Sequence, residues 1–166
     1  MARTDLSAFT CSLARTLAVL GDSWSVLVLR DVHLGVTRFD DLQRDLGVAR
    51  NVLTDRLERL VAGGLLHRRP YQERQPRFDY LLTERGADLM PALFAVTAWG
   101  DRWTAGDEGV PARFTHGGCG SETVATVCCS ACGKPLEADD VRTTPGPGLR
   151  ARRGTSVLAE RAGLAP

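Results

Sequence analysis

The segment from residue 38 to residue 62 constrains the fold more than any other part of the chain. In RFDDLQRDLG, Phe39, Leu42 and Leu46 recur at helical spacing and are followed by Gly47. The next segment, RNVLTDRLERLVAGG, has its large apolar side chains on one face of a second helix and its polar side chains on the other. A short helix, a tight turn containing glycine and a second amphipathic helix together predict a helix-turn-helix.

The elements on both sides of this segment extend it to a winged helix-turn-helix. Residues 12–20 and 24–34 have the apolar spacing of helices, and each segment is followed by glycine. After residue 64 the segments LLHRRPY and RFDYLLT flank the turn-rich QERQP, which predicts a β-hairpin in the position of a wing. A long apolar stripe then predicts a helix over residues 84–103. The predicted fold class is therefore mainly α with a small β-hairpin (α+β).

The composition permits a DNA-binding protein without requiring one. The chain has 166 residues, enough for one ordinary domain and a small appendage, and a formal net charge of +1. It contains no apolar run long enough to span a membrane, and its N-terminus lacks the continuous apolar segment of a secretory signal. We therefore expect a cytoplasmic protein, in whose reducing surroundings the five cysteines do not form a disulfide framework.

Positive charge is concentrated where a winged helix-turn-helix would meet a duplex. Residues 50–77 carry seven Arg against three acidic residues. The N-terminal residues of a recognition helix reach base edges in the major groove, whereas wing arginines bind phosphates or enter the minor groove. The alternative is a solvated face with helix ion pairs such as Asp55 with Arg59. The candidate DNA-contacting residues are Arg38, Arg50, Asn51, Thr54, Arg56, Arg68, Arg74 and Arg77.

Several segments, taken in order, resemble a known family. They are CSLARTLAVLGDSWSVLVLRDV, RFDDLQRDLG, NVLTDRLERLVAGGLL, Pro76 with Arg77, YLLTERG and ALFAVTAWG. Over residues 9–105 the chain resembles the HxlR-type, MarR-like winged helix-turn-helix transcriptional regulators. The resemblance implies a homodimer joined through its first and last helices, which binds double-stranded DNA at a palindromic operator and acts as a repressor. One departure is Ala49, where such proteins have serine or a similar cap before the recognition helix.

Cys11 is a candidate redox sensor. Its position matches the N-terminal cysteine with which some members of the resembled family sense oxidants or electrophiles. Reactivity requires a stabilised thiolate, which a nearby helix N-terminus and Arg15, one helical turn further on, can provide. The alternative is a small buried residue in the dimer helix.

The remaining cysteines predict a zinc-ribbon-like module at residues 112–142. Two tight turns, HGGCG and CSACG, each place two donors three residues apart and follow the second donor with glycine. Because tetrahedral Zn²⁺ takes four nitrogen or sulfur donors, each turn can supply two. Similar tails accompany some members of the resembled family. The predicted ligands are His116, Cys119, Cys129 and Cys132, although Cys128 could replace Cys129 or remain a free thiol.

The sequence leaves two other functions open. A regulator of the same fold could bind a small effector between its dimer helices and the winged domain, with Trp24, Trp99 and Trp103 as apolar walls. Alternatively, Cys129 and Cys132 could form the dithiol of a thioredoxin-like oxidoreductase, but the α/β unit that normally carries this motif is not predicted here.

The C-terminal segment predicts a disordered tail. Residues 143–166 are rich in Pro, Gly and Arg and poor in large apolar residues, so they have little with which to form a core.

Overall fold

Six helices and four short strands make up the parts of the chain that this computed structural model describes, which are residue 6, residues 8–72 and residues 77–164. The helices and wing strands predicted between residues 12 and 103 are all present. In chain order the elements are α1 (Ser12–Leu20), α2 (Ser23–His33), α3 (Phe39–Leu46), α4 (Arg50–Ala62), β1 (Leu66–Gln72), β2 (Arg77–Leu82), α5 (Glu84–Trp103), β3 (Phe114–Thr115), β4 (Glu122–Thr123) and α6 (Ser156–Arg161).

The helix-turn-helix is held by a core of leucine and valine. α3 ends at Gly47, whose φ of 62° is left-handed and favours glycine, and α4 begins three residues later. The helical spacing of apolar residues brings the inner faces of α2, α3 and α4 together, which fixes the orientation of α4. The side chains that are less than 2% exposed in this core are Val28, Leu29, Leu42, Leu53, Leu57, Leu60 and Leu66.

The wing is an antiparallel hairpin whose inner edge pairs with the segment before α3. β1 and β2 are in register from Leu66 opposite Leu82 to Pro70 opposite Phe78, with an irregularity before Gln72. The Tyr80 amide donates to the Thr37 carbonyl at 2.8 Å. This pairing ties the wing to the start of α3. The tip, residues 73–76, lies outside the described residues, and with it the predicted contact residue Arg74.

The first turn of α5 is fastened to the base of the wing. The Thr83 hydroxyl donates to the Gly64 carbonyl at 2.7 Å and accepts the Gly86 amide at 3.0 Å, so it caps α5. Gly86 is buried so close to the wing that a Cβ built on it would lie 2.2 Å from the Leu65 carbonyl oxygen. Glycine is therefore required at this position.

The chain divides into two compact units, and the division falls inside α5. One unit comprises the residues up to Gly86 together with those from Thr143 onward, and the other runs from Ala87 to Arg142. The domain bounds that the sequence predicts, residues 9–105 and 112–142, stay a prediction. In the second unit β3 pairs with β4, and the ring centroids of Phe94 and Phe114 are 5.3 Å apart.

The C-terminal segment differs from the disordered tail that its composition predicts. It contains α6, and Ala159 on that helix is completely buried. The Thr155 side chain is buried as well and contacts the Thr10 hydroxyl at 2.6 Å. Small residues form this contact, and an argument from the scarcity of large apolar residues does not detect such packing.

No single helix among the described residues is long and apolar enough to cross a membrane. α1 and α2 taken together reach the required length and hydropathy, but they are bent by 74° where they join, and core helices and signal sequences pass the same criterion.

Candidate nucleic-acid interface

The N-terminal half of α4 presents polar side chains to solvent. Arg50, Asn51 and Thr54 are exposed, whereas Leu53 and Leu57 are buried. The Thr54 hydroxyl donates to the Arg50 carbonyl at 2.9 Å, which leaves its oxygen lone pairs available as acceptors. Three of the predicted base-contacting residues therefore lie together on one outward face.

Arg38 and Arg50 stack on aromatic rings. These rings line a cleft of about 430 Å³ between α3, α4 and the wing. The guanidinium carbon of Arg50 lies 4.6 Å from the Phe39 ring centroid, and that of Arg38 lies 4.6 Å from the Tyr71 ring centroid. Stacking orients a guanidinium and leaves its N–H edge free for phosphate or guanine. Sequence reasoning did not assign Phe39 and Tyr71 this role, because the contacts join residues from different elements.

The wing adds two more of the predicted contact residues. Arg68 on β1 lies near the rings of Phe78 and Tyr80, at 6.0 and 5.8 Å from their centroids. Arg77 begins β2, is exposed and lines the same cleft as Arg38 and Arg50. Arg38, Arg50 and Arg77 thus converge on one cleft from three different elements.

Acidic side chains at the start of α3 only weakly oppose this charge. Asp40 lies 3.6 Å from the Arg50 guanidinium, and both side chains are more than 70% exposed. Exposed ion pairs of this kind contribute roughly 0–1 kcal/mol, so a phosphate can replace Asp40 as the partner of Arg50 at little cost.

Arg56 lies in a different environment from the other candidate DNA-contacting residues. Its side chain is only 19% exposed and its Nε lies 2.5 Å from the Asp22 carboxylate. It is also paired with Asp55. Arg56 is four residues from both Val52 and Leu60, so it lies at the border of the apolar face of α4. Its ion pair with Asp22, the N-cap of α2, joins the two helices.

Asp79 links the wing to the segment before α3, beside the arginine-lined cleft. It is 8% exposed, accepts hydrogen bonds from Arg69 at 3.1 Å and Thr37 at 3.2 Å, and lies 3.7 Å from Arg38. The hydrogen bond from Arg69 is the main cause that lowers the pKa of Asp79, helped by Thr37 and by the charge of Arg38, whereas burial opposes the shift. No local pattern in the sequence indicates this role, because the partners of Asp79 lie on other elements.

We predict that Asp79 makes the folded protein sensitive to acid. Because its pKa is lower when folded than when unfolded, its ionised form stabilises the fold above the ordinary carboxyl range, and this contribution is lost as pH falls through the folded pKa. Between about pH 6 and about pH 3, the urea midpoint of unfolding should fall further for wild type than for Asp79→Asn. An equal fall in both proteins would contradict the prediction.

We predict that Ala49→Ser stabilises the start of α4. Ala49 has the extended backbone of an N-cap, with φ −64° and ψ 143°, but makes no side-chain hydrogen bond to the helix. A serine there can accept a first-turn amide, and the expected gain in unfolding free energy is about 1 kcal/mol. Urea denaturation measures this gain, with Ala49→Val as a control that adds no acceptor. A serine variant no more stable than the valine variant would show that the cap does not form.

The four predicted metal ligands form two turns with the same backbone pattern. In the first, the His116 amide donates to the Ser121 carbonyl and the Gly120 amide to the His116 carbonyl. In the second, the Cys129 amide donates to the Lys134 carbonyl and the Gly133 amide to the Cys129 carbonyl. The spacing of donors and acceptors is identical, so Cys129 occupies the position equivalent to His116, and Cys128 does not.

Each turn brings its own two donors together. His116 Nδ1 lies 3.3 Å from Cys119 Sγ, and the amides of Cys132 and Ala131 hydrogen-bond to the Cys129 thiol and lower its pKa. The two pairs do not form one cluster: among the described residues, no three His, Cys, Asp or Glu side chains are grouped closely enough to hold a metal ion. The described residues therefore contain two separate donor pairs.

Cys11 lies at the N-terminus of α1, as the sequence predicted. It is the N-cap residue, is partly exposed and makes no side-chain capping hydrogen bond. The Arg15 guanidinium is directed to the Ser12 hydroxyl, at 3.4 Å.

Comparison with known proteins decides the family. Residues 19–108, which include α2, α3, α4, the wing and α5, match the model of the HxlR-like helix-turn-helix family. The chain belongs to the HxlR-like helix-turn-helix family. The resemblance predicted from its sequence segments is thereby confirmed.

Similarity to individual proteins extends beyond this matched segment. An uncharacterised HTH-type transcriptional regulator of Mycobacterium tuberculosis is 39% identical over 145 residues, which cover 87% of this chain and 92% of that protein. The crystal structure of PA1607, named as a transcription factor, aligns with a TM-score of 0.75 and 33% identity, covering 86% of this chain and all of that one. The redox regulator HypR in its reduced form is 30% identical, with a TM-score of 0.52, over 55% of this chain and 92% of its own.

Membership of the HxlR-like family identifies the chain as a DNA-binding transcriptional regulator of the winged helix-turn-helix type. The family and the relatives consist of regulators, not enzymes, so the alternative of a thiol oxidoreductase is excluded. In agreement, Cys129 and Cys132 lie in a turn and do not open a helix.

Proposed function

We propose that this HxlR-like regulator binds a palindromic operator as a homodimer and acts as a repressor. The observation that carries the proposal is the convergence of Arg38, Arg50 and Arg77 on one cleft beside the exposed polar face of α4. Asn51 and Thr54 on that face contact base edges, Arg50 contacts guanine or phosphate, and Arg38, Arg68 and Arg77 hold phosphates. A dimer bound in this way covers two successive major grooves and excludes the transcription machinery.

Exposed apolar side chains on two helices support the homodimer. On α1, Leu13 and Leu17 are 67% and 47% exposed. On α5, Val96, Trp99 and Trp103 are each at least 60% exposed and are spaced to lie along one face. Large apolar side chains clustered on the surface mark protein interfaces. The second copy of the chain is the partner that a two-fold symmetric operator requires.

Selection of bound duplexes from a random pool tests DNA binding. We expect a two-fold symmetric consensus with half-sites about one helical turn apart, and an affinity that falls steeply with salt. Recovery of no enriched sequence, or of one without symmetry, would overturn the operator assignment.

Light scattering on interface variants tests the dimer. Leu17→Glu and Trp99→Glu should each shift the protein to monomer, because both place a charge in the apolar contact. Leu34→Glu, on a side chain that is 60% exposed at the end of α2, is the matched control and should remain dimeric. If Leu17→Glu and Trp99→Glu remain dimeric as well, the interface lies elsewhere.

The effector pocket with Trp24, Trp99 and Trp103 as apolar walls remains a prediction.

We further propose that residues 112–142 bind one structural Zn²⁺ through His116, Cys119, Cys129 and Cys132. The two turns with identical hydrogen bonds support this, since each holds a donor pair at the same positions. Gly120 and Gly133, with φ of 70° and 73°, follow the second donor of each pair and supply the left-handed backbone that the turn requires. Zinc would draw the two donor pairs together and stabilise a segment that has almost no buried side chains.

Metal analysis of adjacent cysteine variants tests the zinc proposal. Wild type and Cys128→Ser should each contain one zinc per chain, and Cys129→Ser should lose it. Cys128 is the matched control because it is the adjacent residue and an exposed thiol. Zinc lost from Cys128→Ser but kept in Cys129→Ser would reverse the ligand assignment, and no zinc in wild type would remove the site.

We also propose that oxidation of Cys11 controls DNA binding. HypR, a relative by structure, is a redox regulator solved in reduced and oxidised forms. In oxidation by diamide, two thiols lose two protons and two electrons to form a disulfide, and the N=N bond is reduced to a hydrazine. We expect diamide to change operator affinity in wild type and Cys128→Ser but not in Cys11→Ser. If Cys11→Ser responds as wild type does, the sensor lies elsewhere.

A further inference from the structure

A cleft between the two ends of the chain has the composition of a ligand site. It occupies about 650 Å³ between the residues that lead into α1 and the C-terminal segment from Thr143 to Ala162. It lies within one compact unit and is separate from the arginine-lined cleft beside α4, with which it shares no lining residue.

The walls of this cleft are held by specific contacts. The Thr155 hydroxyl, which is buried, contacts the Thr10 hydroxyl at 2.6 Å and donates to the Arg150 carbonyl at 2.7 Å. Gly154 has φ of 86°, and a Cβ on it would lie 2.3 Å from the Phe9 ring. The Arg153 guanidinium lies 5.0 Å from the centroid of the same ring. These contacts hold the C-terminal segment against the N-terminal segment and thereby define the cleft between them.

Two arginines from different elements line the cleft, and neither is neutralised by an ion pair among the described residues. Arg15 belongs to α1 and Arg161 to α6. Among the described residues, neither takes part in an ion pair, and no Asp or Glu lines the cleft. The hydroxyls of Ser12 and Thr144 are also in the lining. These groups are hydrogen-bond donors suited to an oxyanion.

Apolar groups make up the rest of the wall. Leu149, Leu158 and Pro145 line the cleft beside the charged residues. A site with a few convergent cationic donors and an apolar wall fits a small ligand that has one anionic group on a hydrocarbon or aromatic body.

We propose that this cleft binds a small organic anion, a carboxylate or phosphate ester with an apolar body, whose oxyanion is held by Arg15 and Arg161. Arginine binds both kinds of oxyanion through paired N–H donors, so the two headgroups share one chemistry. Thr10 and Ser12, the residues before and after Cys11, line the cleft, so a bound ligand would lie beside the first turn of α1.

Titration of three probes with the same ring tests the proposal on the full chain without DNA. Isothermal titration or ligand-observed NMR with benzoate, phenyl phosphate and benzyl alcohol should show saturable binding of at least one anion and none of the neutral alcohol. The double variant Arg15→Gln/Arg161→Gln should weaken anion binding by about tenfold or more. Binding of neither anion, or an equal affinity in the double variant, would overturn the site.

A matched double variant separates the cleft from general charge effects. Arg142→Gln/Arg152→Gln removes the same number of positive charges, but neither residue lines the cleft. It should keep wild-type affinity for the anion, and an equal loss in both doubles would overturn the site in favour of diffuse attraction. Thermal unfolding should show that both doubles are folded.

The same two double variants distinguish a small ligand from a DNA phosphate. Affinity for a duplex should change equally in the two doubles, since each loses two charges. A loss confined to Arg15→Gln/Arg161→Gln would identify the DNA backbone as the occupant and overturn the assignment to a small ligand. Because the probes are titrated without DNA, failure of this site is distinguishable from failure of operator binding.

Discussion

Arg50→Ala and Asn51→Ala should each weaken operator binding by about 1–3 kcal/mol, and the double variant should lose sequence preference as well as affinity. Both side chains are on the exposed polar face of α4, where a recognition helix meets base edges. Their removal should leave the unfolding free energy within about 0.5 kcal/mol of wild type, because exposed substitutions remove little packing. Fluorescence anisotropy with operator and scrambled duplexes measures both quantities, affinity and preference.

Two other arginines of α4 provide the controls. Arg59 is half-exposed and forms an ion pair with Asp55 one turn away, so Arg59→Ala should change operator affinity and sequence preference little. Arg56→Ala should lower the unfolding free energy by about 1–3 kcal/mol, since its pairing with Asp22 is largely shielded from solvent, while the folded protein keeps its DNA affinity. If Arg56→Ala abolished DNA binding at unchanged stability and Arg50→Ala did not, our assignment of the two arginines would be reversed.

Gly86→Ala should destabilise the fold by about 2–4 kcal/mol, although alanine is the better helix former. Gly86 lies in the first turn of α5, and a Cβ there would be 2.2 Å from the Leu65 carbonyl oxygen and 3.1 Å from its carbon. Both atoms belong to the backbone, and the Thr83 amide hydrogen-bonds to that same oxygen, so the clash cannot be relieved by a side-chain rotation. Either α5 or the base of the wing must move. Urea denaturation measures the loss of stability.

Gly100→Ala is the matched control for the effect of glycine in the same helix. A Cβ at Gly100 would lie 3.6 Å from the Thr104 hydroxyl, an ordinary van der Waals contact. Alanine there should be neutral or raise the unfolding free energy by up to about 1 kcal/mol, because it restricts the unfolded chain and favours the helix. If Gly86→Ala were as stable as Gly100→Ala, the close approach at Leu65 would not constrain the fold.

The sequence by itself determined the order and type of the elements from residue 12 to residue 103. Each of these depends on local information: apolar residues at helical spacing, a change to strand spacing after Gly64, and caps or glycines at the ends. The exposure of Asn51 and Thr54 follows for the same reason, since both lie outside the apolar stripe of Leu53 and Leu57 on one helix. Arg50 is three residues before Leu53 and is exposed at the first position of that helix.

Only the tertiary structure decided which side chains meet across elements. Arg56 borders the apolar face of α4, three residues from Leu53 and four from Leu60, but its partner, the carboxylate of Asp22 at the cap of α2, is visible only in the structure. The stacking of Arg38 on Tyr71, the anchoring of the wing by Asp79 and the docking of Thr155 on Thr10 all join residues distant in the sequence. Periodicity reports which face of one element is apolar, but it carries no information about which residue of another element lies against that face.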